Sequence, residues 1–293
     1  MAVKTLQNFN RIINLTFYNS LGLPHRIKCP TKGRKPNITI NGNFTTASYL
    51  PAFNVTIKNF YMNMQGDQYK KLKVEAGYEG NTIEFEGTIL SMYQEAPGPE
   101  GSTVIQCQQG KLQNYLDATV QMDYMPGTLL KVVLADLSKK LGTYGVHTGV
   151  RASTLTLTNR IQFDGSVREA MEKLEQEFVD KQLNIFVRNN TLCAICLTTG
   201  DFVKSYTLEY MSAPPQENSG DQEGTYYTTV TAPWIPKLQK GDLLVIPSRV
   251  YMRNFTLVGG LKKTQTVQVT SLQFHFATTG GTNSMTVQGF LKR

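Results

Sequence analysis

Cys193 and Cys196 are the residues whose spacing most directly suggests chemistry, since a C-x-x-C can ligate zinc or cycle as a dithiol. Their setting favours neither. The run Leu192-Cys193-Ala194-Ile195-Cys196-Leu197 reads as a strand, where a separation of three puts the thiols on opposite faces. No second C-x-x-C is present, and His25, His147 and His275 are scattered. Cys29 and Cys107 complete a set of four, too few for a disulfide scaffold in a chain of 293 residues. Cys193 and Cys196 are expected in the core, with no metal and no cofactor.

Carboxylate pairs are the next candidates. Glu84 and Glu86 alternate with Ile83 and Phe85, so on a strand they share a face, which solvent exposure explains. Glu172 and Glu175 fall on the solvent face of an expected helix. A glycosidase needs two carboxylates facing across a cleft, and no spacing here suggests such a pair. G-x-S-x-G, H-E-x-x-H and the P-loop are all missing from the sequence. The chain is expected not to be an enzyme.

Charge is unevenly placed. The net charge is +8, and the first carboxylate is Asp67. Lys4, Arg11, Arg26, Lys28, Lys32, Arg34, Lys35 and Lys58 precede it and account for the whole excess. Arg26, Lys28, Lys32, Arg34 and Lys35 lie among Pro24, Pro30, Gly33 and Pro36, which favour an exposed loop. Such a loop suits phosphate or an acidic protein surface. Without aromatics to stack on bases, single-strand binding has no support; the segment reads as a solvated basic loop or as a protein–protein contact, the functional role expected of it. Trp234 with Tyr226-Tyr227 could stack on a sugar, which leaves a carbohydrate- or receptor-binding protein at a particle periphery as the alternative.

These residues must be positioned by β-rich elements. Hydrophobic content is 40% and mean hydropathy is -0.27, as for a soluble folded chain. No apolar run approaches the roughly 20 residues that span a bilayer, so no stable membrane insertion is expected. The first residues lack a signal-peptide core, so assembly in the cytoplasm is expected. Alternation predicts strands at 12–18, 38–40, 53–61, 71–78, 82–93 and 103–108, with a turn at Asn41-Gly42-Asn43. An apolar stripe from Leu129 to Leu141 predicts a helix stopped by Gly142, and Ser166 with Glu169 forms the capping box of a second. A hairpin around Asn189-Asn190 follows. Strands are then expected at 203–210, 225–232, 243–246, 250–258, 267–276 and 284–291, with 212–224 a mobile loop. The fold class is mainly β with an α+β insert: two small β-barrel domains, 1–109 and 201–293, flanking a two-helix α+β module, 110–200.

The two β blocks end in like hairpins. Aligned without a gap, Ser91 falls on Ser271, Gly101 on Gly281 and Gln108 on Gln288, while Ile89 pairs with Val269, Met92 with Leu272 and Cys107 with Val287. A duplicated barrel is expected.

The segment 235–247, with Lys240-Gly241-Asp242 turning into the apolar run Leu243-Leu244-Val245-Ile246, is expected to form a strand buried on both faces. It also resembles the closing barrel of phage tail hub proteins, where an L-x-x-G-D-x-[IV]-x-[IV] strand precedes a return hairpin. Residues 124–133 resemble that family's x-G-T-x-L-x-D-V helix start, and 166–178 its later helix-and-hairpin unit. The resemblance implies a structural baseplate hub of a phage or phage-like tail, contractile in type, joining a hexameric tail tube to a trimeric central spike. It implies a homotrimer of paired barrels in a pseudo-sixfold ring. The implied partners are tail tube, spike, baseplate wedge and tape-measure proteins, without sequence-specific nucleic acid binding, in the virion tail. Nothing after Arg293 supplies a spike, so the spike is expected to be a separate protein.

Overall fold

The computed structural model describes residues 10–29, 35–44, 51–60, 69–95, 101–109, 118–143, 145–197, 201–208, 216–219, 226–248, 251–253, 256–259, 264–280 and 283–292. The first block holds β1 (Arg11–Asn19), β2 (Pro24–Ile27), β3 (Ile38–Phe44), β4 (Ala52–Lys58), β5 (Tyr69–Tyr78), β6 (Asn81–Glu95) and β7 (Ser102–Gln108). The module holds β8 (Thr119–Tyr124), α1 (Leu130–Leu141), β9 (Val146–Thr148), β10 (Ile161–Ser166), α2 (Val167–Glu177), β11 (Leu183–Arg188) and β12 (Thr191–Cys196). The third block holds β13 (Ser205–Thr207), β14 (Gln216–Ser219), β15 (Tyr226–Pro233) and β16 (Leu243–Ile246). It ends with β17 (Tyr251–Arg253), β18 (Thr256–Gly259), β19 (Gln265–Ala277) and β20 (Ser284–Lys292). The fold is mainly β with a small α+β module, as expected.

The outer blocks share one 13-stranded sheet, whose path is β14-β15-β20-β19-β3-β4-β7-β6-β5-β1-β2, with β16 on β19 and β13 on β16. They meet where β19 pairs antiparallel with β3, from Leu272 opposite Phe44 to Ala277 opposite Thr39. Pairings between described residues close neither block on itself.

The two halves repeat one strand order. In the first, β1, β3, β4, β5, β6 and β7 are arranged β3-β4-β7-β6-β5-β1. Taken in the same sequence order, β13, β14, β15, β16, β19 and β20 are arranged β14-β15-β20-β19-β16-β13. One pairing departs: β1 runs antiparallel to β5, whereas β13 runs parallel to β16. The hairpins share a backbone detail too, a bulge between Ile89 and Ser91 in β6 and between Val269 and Ser271 in β19. Ser91 then faces Gln106, and Ser271 faces Gln288. Ser91 is therefore the counterpart of Ser271, as aligned, but Gln288 answers to Gln106 rather than Gln108, and Cys107 to Gly289 rather than Val287. Eight residues separate the paired His275 and Ser284, against six between the paired Glu95 and Ser102, so the whole return strand shifts by two. Gly281 lies outside the described residues.

Strand pattern explains the shared core. In β1, Ile13, Leu15 and Phe17 are buried at period two, and Ile38, Ile40, Val55, Ile57, Leu72 and Val74 repeat the pattern into a single cluster that includes Val267, Leu272 and Val287. Aromatic rings cross the block boundary. Phe274 lies edge-on to Phe44 at 5.6 Å and stacks on Trp234 at 4.8 Å, while Phe276 meets Tyr78 at 5.4 Å. Such pairs contribute about 0.5–1.5 kcal/mol each beyond the area they bury.

The module has its own core, in which Leu130, Val133, Leu134, Leu137 and Leu141 of α1 meet Val167, Ala170, Met171 and Leu174 of α2. Gly142, with φ 70, ends α1 in the left-handed conformation. Ser166 and Glu169 form the full reciprocal capping box.

Several elements differ from expectation. Asn41-Gly42-Asn43 continues β3 rather than turning, because β19 pairs along it and a Cβ at 42 would overlap the Phe274 ring. Gln216–Ser219 is a strand on β15 rather than loop; most of 212–224 lies outside the described residues. The expected strand 250–258 is instead a separate hairpin, β17 with β18. In β16, Leu244 and Ile246 are buried but Leu243 and Val245 are half-buried, so only one face is fully covered. Short strands β2, β8, β9 and β10 carry too few alternating residues to announce themselves.

Candidate assembly site

The module docks through the tip of its β11–β12 hairpin. Asn189 and Asn190 take φ 47 and 57, the left-handed pair that a two-residue hairpin turn demands. That turn delivers Arg188, Asn189 and Asn190 to both outer blocks. Arg188 Nη1 donates to Asp242 Oδ1 at 2.6 Å, with the two side chains 9% and 0% exposed. Asp242 also accepts the backbone N–H of Lys204 at 3.0 Å and of Gln239 at 2.9 Å. Burial pushes the Asp242 carboxyl above the usual carboxylate range, against the pull of Arg188.

Asn189 donates its backbone N–H to Gln109 Oε1 at 3.0 Å and accepts from Gln239 Nε2 at 3.1 Å. Asn190 Nδ2 donates to Glu86 Oε1 at 2.8 Å. One hairpin tip thus ties the first block to the third. A second tie is Asp201, whose carboxylate accepts the backbone N–H of Arg151 at 3.0 Å and of Ala152 at 2.9 Å. Its backbone oxygen accepts from the Gln268 side chain.

Gly241, with φ +86, sits where a Cβ would strike the Phe186 ring. The Lys240 ammonium lies over that ring at 4.9 Å, and burial draws its pKa down to about 8. Lys240-Gly241-Asp242 is therefore the socket for the module as well as a turn. Sequence reasoning noticed the turn and missed the socket. The available signal was an Asp heading an apolar strand, with one Arg immediately before the Asn-Asn turn to neutralise it.

Other singled-out residues fall in several places. Cys193 packs with Phe186 and Ile195, while Cys196 joins the module core, so the two lie on opposite faces as the strand period requires. Burial raises Cys193 to about 12 and Cys196 to about 11. Among the described residues no group of three His, Cys, Asp or Glu side chains is placed to hold a metal. Glu84 pairs with Lys73 at 2.8 Å and is 59% exposed, but Glu86, on Lys71 and Asn190, is 18% exposed and belongs to the seam rather than to solvent. Glu172 pairs with Arg168, and Glu175 accepts the backbone N–H of Ile185 at 2.7 Å, fastening α2 to β11. Trp234 is buried against Phe274 and Phe276, which removes it as a sugar platform. The side chains of Tyr226 and Tyr227 lie outside what is described.

The basic segment divides. Arg26 lies on edge strand β2, opposite Thr16, exposed rather than in a loop; Pro24 at the strand start is compatible with an edge. Lys28 is exposed just beyond. Lys35 Nζ donates to the Arg11 carbonyl at 2.8 Å. Lys32 and Arg34 lie outside the described residues. Lys28 and Lys35 line a cleft of about 1070 Å³ together with Lys58, Phe60 and Thr279. The fold therefore brings part of the amino-terminal charge excess to one concave surface. Among the described residues no helix is long and apolar enough to cross a membrane.

This fold, with two like-ordered β halves in one sheet and an α+β module between them, is similar to that of solved bacteriophage tail proteins. The 43 kDa tail protein of prophage MuSo2 from Shewanella oneidensis superposes with a TM-score of 0.56, covering 97% of each chain at 9% identity. A tail protein from Neisseria meningitidis gives 0.58 over 96% of this chain and 97% of its own, also at 9% identity. An E. coli component of the type VI secretion system, described as structurally similar to T4 bacteriophage tail proteins gp27 and gp5, gives 0.58 over 88% and 74%, at 9% identity. No family model and no curated protein matches the chain. The likeness to phage tail proteins thus holds at the level of fold.

Proposed function

We propose that this chain is a structural hub of a phage or phage-like tail, joining the tail tube to the central spike as a homotrimer. The observation that carries this is the repeated strand order: each copy presents two equivalent β units side by side in one sheet. Three copies then present six such units, which match a sixfold tube on one side while the whole assembly keeps the threefold symmetry of a spike. The shared fold with phage tail proteins supports the same role. The proposed partners are the tail tube, spike, baseplate wedge and tape-measure proteins, and the proposed location is the virion tail, after assembly in the host cytoplasm. Its work is mechanical, with no reaction to catalyse: the buried Arg188–Asp242 and Asp201 ties hold the module against the sheet so that both units move as one body.

A reconstruction of the assembled particle tests this. The expected result is density for three copies around the tail axis between tube and spike. A peripheral position, as a fibre or receptor-contacting subunit, would overturn it.

A further inference from the structure

The repeat leaves one half of a pairing unanswered. In β19 the bulge at Thr270 divides the strand: residues before it pair with β16, from Gln265 to Gln268, and residues after it pair with β3, from Leu272 to Ala277. In β6 the matching bulge at Leu90 divides the strand in the same way. Residues before it pair with β5, from Asn81 to Thr88, but beyond it Met92 to Glu95 pair only with β7 among the described residues. That outer edge is the counterpart of the one β3 covers in the other half. Exposure agrees at one matching position, since Phe274 is buried while its counterpart Gln94 is exposed.

The strand equivalent to β3 is β14, and it too ends the sheet, pairing only with β15 among the described residues. The register can be carried across. Asn54 faces Gln106 as Thr229 faces Gln288, so Asn54 and Thr229 are equivalent. Asn54 also faces Asn41, and Thr229 faces Gln216, which makes Gln216–Ser219 the counterpart of residues 41–44. Those four residues face residues 272–275 in β19, whose counterparts in β6 are 92–95.

We infer that β14 of one copy adds antiparallel to the free edge of β6 in a second copy, reproducing between chains the junction that β3 and β19 make within one. The register sets Ser219 opposite Met92, Asn218 opposite Tyr93, Glu217 opposite Gln94 and Gln216 opposite Glu95. Strand addition at an open edge satisfies backbone N–H and C=O groups that otherwise face solvent. The two edges differ, so the contact is head-to-tail and each copy uses each edge once, which closes a ring when the rotation allows. Only closure at three copies rests on the hub reading; the strand pairing does not.

Disulfide trapping on the full chain tests the register. Opposed residues of an antiparallel pair have Cα atoms about 4.5–5.5 Å apart, within reach of a disulfide. The four native cysteines are buried, so background is low. Asn218→Cys combined with Tyr93→Cys is expected to give linked multimers on oxidation, with the 218–93 peptide pair found by mass spectrometry. Asn218→Cys combined with Leu21→Cys, at an exposed turn, is the control and should give only background. Hydrogen exchange on the unmodified protein supplies a second readout, with amides of 92–95 gaining protection on self-association. Native mass is measured alongside. Oligomers without the 218–93 link, or with equal linking in the control, overturn the edge pairing and leave the hub role standing. A strict monomer without the link also overturns the pairing, while the axial position in a particle decides the hub role separately.

Discussion

Removing the Arg188 guanidinium should detach the module from the sheet before either unfolds by itself. Arg188→Met keeps most of the aliphatic stem but leaves Asp242, at 0% exposure, with two backbone N–H donors and no counter-charge. Breaking a buried ion pair from one side costs about 3–5 kcal/mol. Trp234 is the single tryptophan and lies in the sheet core, whereas the two described α-helices lie in the module, so fluorescence and the helical component of the far-UV circular dichroism follow different parts. In urea the two probes should coincide for the parent chain. In the variant the circular dichroism transition should come first, because the module has its own core but has lost its main tie.

The loss should also depend on pH, with a defined sign. Burial already holds the Asp242 carboxyl above its ordinary range, and removing Arg188 raises it further. Below that raised value the folded variant takes up a proton that the unfolded chain does not bind until near the ordinary carboxylate value of about 3.9, so folding is favoured as pH falls. The deficit relative to the parent should therefore shrink between neutral pH and about pH 4. A cycle with Asp242→Asn should show a coupling of about 1–3 kcal/mol. A variant within about 0.5 kcal/mol of the parent at pH 7, or a deficit that grows on acidification, would refute the reasoning.

Three further outcomes follow from the same structure. Gly42→Ala should destabilise by about 1–3 kcal/mol in thermal unfolding, since its Cβ meets the Phe274 ring, and Phe274→Leu should relieve part of that loss; an unchanged melting temperature would contradict the close packing. Lys240 is drawn down from 10.5 to about 8, so between those values the unfolded chain holds a proton the folded chain has released, and stability rises with pH. Lys240→Met should abolish that slope and raise stability at pH 7 by about 1–3 kcal/mol, read from urea midpoints at pH 7 and 9.5; equal slopes would sink the idea. Reversing charge at Arg26 and Lys28 should lower particle yield while changing stability by about 0.5 kcal/mol or less, because both are exposed; normal yield would reduce the segment to a solvated edge.

What the sequence reveals here is whatever depends on side-chain period. The apolar stripe of α1, the capping box of α2 and the Asn-Asn hairpin are each set by a few neighbouring residues, and each stands where expected. The β3 extension does not, because Asn41-Gly42-Asn43 obeys a partner strand more than 200 residues away rather than its own turn preference. Glu86 misleads for a related reason: its alternation with Phe85 correctly gives the face, but only the docked Asn190 reveals that the face is covered.

The repeat shows the same division between local and long-range information. The outgoing strands of the two hairpins align because each keeps its bulge at the same point, a backbone feature that twists and re-aims the strand. The return strands slip by two because register is set by how many residues separate the last paired positions, which residue identity does not report. Once pairing, rather than identity, defines equivalence, the outer edge of β6 becomes the open counterpart of a junction already formed inside the chain. Exposed Gln94 stands where buried Phe274 has a neighbour, on an edge that, like that of β14, described residues of one copy leave unfilled. A long unpaired edge invites indiscriminate association, and polar residues along it keep it soluble until a strand of the right register arrives. That makes the edge a selective site for assembly rather than a defect of the fold.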